Sequence, residues 1–145
     1  MCKFYNILIL IIMVLPAAAC DNSEAMSRDQ ITVEVDVYSG RPNPTWTPVS
    51  SDAAQIITII GKLPKSVPGV RNDNLGYRGM IVRRGGVEWL VFGGKVLQRG
   101  SNRWYTDRDR KVERLILHSG KPFLEPSVHD AVLKELDQEK NHSKR

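Results

Sequence analysis

Arginine, asparagine and tryptophan occur together in one short stretch that could recognise another molecule. The stretch reads YSGRPNPTW, from Tyr38 to Trp46, and Arg41 and Asn43 each precede a proline. Proline fixes its own φ near about −65° and restricts the preceding residue to extended conformations, so both side chains would lose little entropy on binding. Arg41 has the donors to fork onto a carboxylate or phosphate, Asn43 offers an amide, and Trp46 offers an apolar anchor.

The same rigidity suits a purely structural corner, and the residues alone leave both interpretations open. In that alternative Arg41 reaches back to Asp36, on the solvent side of the preceding strand. Asn43 then caps neighbouring backbone, and Trp46 fills the core beside the helix that follows. Paired prolines also deter strands from pairing edge to edge.

A second candidate surface lies between Tyr77 and Tyr105, where basic and aromatic residues alternate. Arginine with aromatic residues is typical of interface hot spots and of grooves that bind polyanions. Alternatively, the aromatic residues fill the core and the arginines form the wet face of a sheet. The candidate binding residues of the chain are Arg41, Asn43, Trp46, Arg78, Arg83 and Arg84.

The residue types needed for catalysis do not form a recognisable constellation. The three histidines, His118, His129 and His142, lack the spacing of a metal site, and the glycine pairs lack the pattern of a phosphate-binding loop. We therefore expect no cofactor, no metal and no enzymatic activity, with a small hydrolase as the least favoured function.

The first twenty residues, MCKFYNILILIIMVLPAAAC, have the features of an export signal. A basic residue precedes an apolar run, and small residues lead to Cys20. The run is shorter than the roughly 20 residues that a membrane-spanning helix needs. Ala17-Ala18-Ala19 fits the A-x-A cleavage site of ordinary signal peptidase. Together with Cys20 it also resembles the lipobox of bacterial lipoproteins, although Ala17 stands where leucine is usual. This resemblance implies that residues 1–19 are a signal peptide and that Cys20 carries the lipid, with residues 20–30 as a polar tether.

Export determines which partners the basic chain could meet. The formal net charge is +5 at pH 7, which in the cytosol would suggest nucleic acid. An exported, lipid-anchored domain facing the periplasm or the cell exterior meets envelope proteins and anionic envelope polymers instead. We therefore expect a membrane attachment through Cys20, a protein or polymer partner, and no nucleic acid. The choice between inner and outer membrane stays open.

The pattern of apolar residues predicts one α+β domain over residues 31–139. Residues 31–38 alternate as a strand, and a helix follows Ser50. The runs YRGMIVRR, VEWLVF and KVLQR, separated by Gly85-Gly86 and Gly93-Gly94, predict a three-stranded meander with tight turns. Residues 103–105 could add a short strand. Two helices then complete a two-layer fold, with an antiparallel sheet of about four strands and about three helices on one face. Residues 140–145 would be a disordered basic tail.

Capping signals locate the helix ends. Ser50 and Ser51 offer an N-cap for the first helix. Thr106 with Asp109 has the spacing of a capping box for the second helix, which should stop at Gly120.

The mature chain also resembles a group of small exported bacterial proteins that share an S-G-R-P-N-P-x-W loop and a later L-G-Y-R-G stretch. Here these are Ser39–Trp46 and Leu75–Gly79. The resemblance implies that the two stretches belong to one module and supplies no activity. We expect a non-enzymatic binding module, with an assembly scaffold or an inhibitor or immunity-type lipoprotein as alternatives.

Overall fold

The computed structural model describes residues 29–71 and 75–142. The predicted signal peptide, Cys20 and the first part of the predicted tether lie outside the described residues. The described chain is an α+β domain with one antiparallel sheet and three helices. Within these ranges, no helix is both long enough and apolar enough to span a bilayer.

Six strands and three helices follow one another along the chain. The strands are β1 (Thr32–Asp36), β2 (Thr45–Trp46), β3 (Gly79–Arg84), β4 (Val87–Phe92), β5 (Lys95–Gln98) and β6 (Arg103–Thr106). The helices are α1 (Ser50–Lys62), α2 (Lys111–Gly120) and α3 (Pro126–His142), and a 3-10 turn at Arg108–Arg110 precedes α2. Across the sheet the order is β2-β1-β3-β4-β5-β6.

The predicted meander is confirmed as β3, β4 and β5. Both glycine pairs have positive φ angles, between 53° and 78°, at each central position of their turns. Two successive positive φ angles define the turn type whose twist matches that of a hairpin, and glycine adopts them without a steric penalty. The register across the meander pairs Ile81 with Leu90 and Leu90 with Leu97.

The sheet has more strands than the predicted count of about four. The short strand expected after the meander exists as β6, and β1 matches the predicted N-terminal strand. The unpredicted strand is β2, which pairs Trp46 with Val33 and Thr45 with Glu34. Two residues among prolines carry no alternation, so the pattern of the sequence could not indicate this strand.

The main core lies between the helices and one face of the sheet. Alternate residues of the strands face this core, as the strand period requires. The strands contribute Val33, Val35, Trp46, Met80, Val82, Val91 and Val96, and the helices contribute Ile56, Ile60, Val112, Ile116, Leu117, Val128, Val132 and Leu136.

A smaller apolar cluster occupies the opposite face of the sheet, which is called the outer face below. Ile81, Leu90 and Phe92 are buried there, and Leu97 and Trp104 pack against them. The long connection between α1 and β3 reaches this face. A side chain on Gly69 would approach Lys95 Cγ to 2.9 Å and the Trp104 ring to 3.3 Å.

The helix starts differ from those predicted by the capping signals. The N-cap of α1 is Val49, which makes no side-chain cap hydrogen bond. Before α2, the carboxylate of Asp107 accepts hydrogen bonds from the backbone N–H groups of Val112 at 2.9 Å and Glu113 at 3.4 Å. Asp107 therefore caps α2, and the predicted Thr106–Asp109 capping box is wrong. The first N–H groups of any helix need an acceptor. Here a 3-10 turn lies between Asp107 and the start of α2, so the acceptor is further from the helix in sequence than an ordinary capping residue.

The C-terminal helix is longer than the predicted domain boundary implied. It begins at Pro126, where the missing N–H of proline costs nothing, and extends to His142. Residues 140–142 of the predicted disordered tail are therefore helical. Residues 143–145 lie outside the described part of the chain.

Candidate binding surface

Asn43 folds the proline loop onto strand β1. Its side-chain oxygen accepts hydrogen bonds from the backbone N–H groups of Val37 at 3.1 Å and Tyr38 at 2.9 Å. Its amide nitrogen donates to Glu34 Oε1 at 3.1 Å and Asp36 Oδ1 at 3.2 Å. Asn43 thus caps neighbouring backbone, as the structural interpretation of the loop expected, and its polar atoms have intramolecular partners.

Trp46 lies in the core and anchors the C-terminal end of the loop there. Its side chain is 5% exposed, and its indole Nε1 donates to Ser119 Oγ at 3.2 Å. The ring packs on Gly120 so closely that an added Cβ there would lie 2.6 Å from Trp46 Cζ2. Glycine is required at position 120 by this close approach of the indole. It is not required as a helix C-cap, because the C-cap of α2 is Lys121, in a right-handed helical conformation.

Arg41 is the candidate residue of the loop that faces outward. Its guanidinium lies over the Tyr38 ring, with Cζ 3.5 Å from the ring centroid. Among residues 29–71 and 75–142, no hydrogen bond or ion pair engages the Arg41 side chain. Arg41 is exposed despite this contact, so its N–H donors are accessible to solvent. Arg41 does not reach Asp36, which other arginines hold.

Arg78 ties the two stretches of the resemblance together. Its guanidinium forms an ion pair with Asp36 and donates to the Tyr38 carbonyl at 2.7 Å and to Ser39 Oγ at 3.2 Å. Its backbone N–H donates to the Asp36 carbonyl at 2.8 Å. Ser39–Trp46 and Leu75–Gly79 are therefore joined in space through Arg78.

Asp36 is the centre of this arrangement, and the sequence placed it on the solvent side. Arg71 and Arg78 both pair with its carboxylate, and Arg71 Nε also donates to the Arg78 carbonyl at 3.3 Å. Burial raises the pKa of Asp36, but Arg78, Arg71 and the Asn43 amide together lower it by more. The pKa therefore lies below its ordinary value. Arg71 was missed because it lies in an aperiodic loop. The sequence did offer one signal for these ion pairs: an acidic residue on the solvent side of a strand, followed by arginines in and after a long loop.

Arg83 adjoins this arrangement through Glu34, which also accepts from the Asn43 amide, and Arg84 lies beyond it at the Gly85-Gly86 turn. Arg83 bridges Glu34 at 2.9 Å and Glu88 at 2.8 Å, and Arg84 pairs with Asp29 at 3.2 Å. The structure thus brings Arg41, Asn43, Trp46 and Arg78 together, connects Arg83 to Asn43 through Glu34, and places Arg84 elsewhere with Asp29 as its partner.

A shallow cleft opens beside Arg78, with a buried polar network behind it. The lining includes Val70, Tyr77, Phe92, Arg110 and Glu135. Behind these, Glu113 accepts hydrogen bonds from the Tyr77 hydroxyl at 2.8 Å and from the Gly94 N–H at 3.0 Å, and it pairs with Arg110. Burial and the Glu113 carboxylate raise the pKa of Tyr77 well above its ordinary value, so the phenol remains a donor. These groups satisfy one another and fasten α2 to the sheet.

Metal-ligating side chains do not cluster in the described ranges of the chain. No group of three or more His, Cys, Asp or Glu residues there could hold a metal ion. Comparisons with protein-family models, with characterised proteins and with solved structures found no match to this chain. Its function has to be argued from the geometry.

Proposed function

We propose that this chain is a lipid-anchored protein of the bacterial cell envelope whose domain binds a partner protein and catalyses no reaction. The anchor is the lipid on Cys20, argued from the leader sequence. The binding element is the Ser39–Trp46 loop, with Arg41 as its contact residue. The observation that carries the proposal is the outward guanidinium of Arg41, held over Tyr38 on a loop of fixed shape.

The rigidity of the loop favours recognition. Asn43 fixes the loop with two hydrogen bonds to side chains of β1 and two to the backbone just after β1, and Trp46 anchors the end of the loop in the core. A preorganised loop loses little conformational entropy on binding, so more of the contact energy appears as affinity. The structural contacts and the recognition role are therefore compatible: two residues hold the loop and one presents a charge.

A protein partner fits this surface better than an anionic polymer. Four arginines of the meander region are paired with carboxylates of the same chain: Arg78, Arg83, Arg84 and Arg99. A polyanion groove needs a run of cations whose charge is available to the ligand. A single stacked arginine matches one carboxylate on a partner, and arginine is enriched at such hot spots. Nucleic acid has no place in this proposal.

The test is a site-specific crosslink from the loop in the bacterium that carries the protein. A photoreactive amino acid replaces Thr45, which is exposed in β2 beside the loop. We expect a protein adduct whose yield falls at least tenfold with Arg41→Ala and only partly with Arg41→Lys, since lysine keeps the charge without the planar fork. Affinity of the purified pair should fall by about 2 kcal/mol with Arg41→Ala.

The matched control is Arg103→Ala, which removes an exposed arginine at the start of β6. This variant should leave the adduct unchanged. Equal losses from Arg41→Ala and Arg103→Ala would instead indicate a diffuse contact, as in an assembly scaffold. Thermal unfolding of both purified variants must match that of the unsubstituted chain.

A further inference from the structure

Two large apolar side chains are exposed at one end of the sheet, which is called the entry end below because the described chain begins there. Asp29 is the first described residue and forms an ion pair with Arg84 at 3.2 Å, next to the Gly85-Gly86 turn. Val49 is 60% exposed and Phe123 is 54% exposed. A single exposed apolar residue needs no explanation, but apolar residues that share one surface are typical of a contact site.

The pairing of the elements places Val49 and Phe123 together at the entry end. The strand β2 runs antiparallel to β1 and therefore toward this end, and Val49 follows β2. The Trp46 ring packs on Gly120 at the end of α2, and the Phe123 N–H donates to the Gly120 carbonyl at 2.9 Å. Val49 and Phe123 each lie three residues beyond one side of this tryptophan–glycine contact.

Buried neighbours hold both side chains in place. Val49 follows the buried Pro48, and its carbonyl accepts a hydrogen bond from the Ala53 N–H at 2.9 Å. Phe123 precedes the buried Leu124, whose N–H also donates to the end of α2 at 3.0 Å. The two side chains therefore form a preformed apolar site, which loses little conformational entropy on contact.

Exposed apolar residues occur at the other end of the sheet as well, so exposure alone does not single out the entry end. Val70 is 95% exposed and lines the cleft beside Arg78, whose N–H donates to the Asp36 carbonyl at the far end of β1. Val49 and Val70 are thus a matched pair of exposed valines at opposite ends.

The length of chain before Asp29 distinguishes the two ends. Asp29 follows Cys20 by nine residues, and nine residues span at most about 32 Å in any conformation. A lipid on Cys20 would therefore restrict the entry end, more than any other part of the domain, to the vicinity of the bilayer. A short link of this kind gives an effective concentration on the order of millimolar, so even a weak contact is populated. Without the link the same contact would be too weak to hold the domain at a membrane.

The charges around the two apolar residues are of both signs. Exposed Lys121 and Glu125 flank Phe123, Asp52 lies in the first turn of α1, and Arg84 is paired with Asp29. An anionic polymer would need a run of cations, which this end does not offer. The apolar side chains are what this surface presents, and they suit the boundary between lipid headgroups and acyl chains.

We infer that the entry end docks on the bilayer that holds the lipid of Cys20, with Val49 and Phe123 inserted among its lipids. The inference rests on the proposed function, since it requires the anchor. Docking in this pose directs the Arg41 loop, which follows the far end of β1, away from the bilayer.

The test places a photoreactive amino acid at position 123 of the full chain, in the bacterium that carries the protein, and identifies the adduct by mass spectrometry. The matched control position is 70, which is exposed at the opposite end. We expect a phospholipid adduct from position 123 and a yield about tenfold lower from position 70, because only the first is inserted among lipids.

The variant Val49→Asp, with the crosslinker at position 123, separates docking from folding. Val49 is the N-cap of α1 and makes no side-chain cap hydrogen bond, whereas aspartate is a preferred N-cap residue. The variant should be at least as stable as the unsubstituted chain, yet its phospholipid adduct should fall about tenfold, because a carboxylate resists burial in lipid. Val70→Asp adds the same charge at the opposite end and should leave the adduct unchanged. Thermal unfolding of both variants checks the stability.

The inference and the proposed function fail in different ways. Equal phospholipid adducts from positions 123 and 70, or a yield that Val49→Asp leaves unchanged, overturn docking by the entry end. A protein adduct from position 123 overturns the bilayer as the occupant. A phospholipid adduct from position 123 without a protein adduct from position 45 supports docking and overturns the binding role of the Arg41 loop. A mature chain without lipid on Cys20 overturns both the anchor and the docking that depends on it.

Discussion

The indole of Trp46 and the missing side chain of Gly120 form one contact that ties the proline loop to the helix layer. Atoms closer than 3.0 Å do not coexist without movement, and an added Cβ would lie 2.6 Å from the ring. The ring is buried and donates to Ser119, so it cannot rotate away freely. At this position glycine serves packing, although its place at a helix end also matches a C-cap signal.

This contact predicts opposite effects of the same substitution at two helical glycines. Gly120→Ala should lower the free energy of unfolding by about 1–3 kcal/mol, because it overpacks the core against Trp46. Gly61→Ala in α1 should raise it by about 0.5–1 kcal/mol, since nothing lies within 4 Å and alanine favours the helix. Denaturant unfolding of both variants measures the difference. Similar values for the two would show that the indole moves aside.

At this scale the sequence predicted part of the site. The alternative in which Asn43 caps backbone and Trp46 fills the core describes both residues, but the indole contacts Ser119 and Gly120 of α2 and not the helix that was expected beside it. The partner of Arg41 was not predictable, because Asp36 is claimed by Arg71 from a loop without periodicity. Long-range contacts of an aperiodic loop leave no local pattern in the sequence.

The secondary-structure elements whose position depends on local residue preferences were predicted from the sequence. The elements whose position depends on tertiary contacts were not. The glycine pairs specified the hairpins because few other residues adopt two positive φ angles. β2 forms by pairing with the neighbouring strand β1, where Trp46 lies opposite Val33 and Thr45 opposite Glu34. The start of α2 was misplaced because Asp109 and Arg110 adopt positive φ angles, 59° and 53°, which delay the helix.

Asp107, which caps α2, makes the free energy of unfolding depend on pH. Asp107 is 1% exposed, and within the described residues its Oδ1 has no hydrogen-bond partner. Burial raises its pKa to about 6, with the charge of Glu113 adding to the rise. The ordinary value is 3.8, so between these two values the folded state binds more protons than the unfolded state. Stability therefore increases as the pH falls through about 6 and is lost as the pH rises.

We predict that the free energy of unfolding rises by about 1 kcal/mol from pH 7.5 to pH 5. Asp107→Asn should flatten this dependence, because the amide still accepts a hydrogen bond from Val112 but does not titrate in this range. Denaturant unfolding at several pH values compares the two chains. The lowered pKa of Asp36 acts in the opposite sense but below its ordinary value of 3.8, outside this window. An identical pH dependence in both chains would contradict the assignment to Asp107.

Seen as a whole, the domain offers side chains and not strand edges for recognition. Along β6 the backbone is occupied: the Thr106 N–H donates to the Pro64 carbonyl and the Ser66 N–H to the Trp104 carbonyl, both at 2.9 Å. At the other edge β2 has two residues, with prolines on both sides. A blocked edge prevents pairing with another strand. In the proposed function, partner binding then depends on the Ser39–Trp46 loop at one end of the sheet.

The proposed function places the Ser39–Trp46 loop on a lipid-anchored chain, so the anchor is its first requirement. Among the described residues, 29–31 lead into β1 at the end of the sheet opposite to Arg41. We predict that the mature chain lacks residues 1–19, carries lipid on Cys20 and fractionates with membranes. Cys20→Ser should leave the folded domain intact but move it to the soluble fraction, because a single Ala17–Ala19 cleavage site remains for ordinary signal peptidase. Intact mass of the purified mature chain decides the matter. An unmodified Cys20 or a retained leader would remove the anchor from the proposed function.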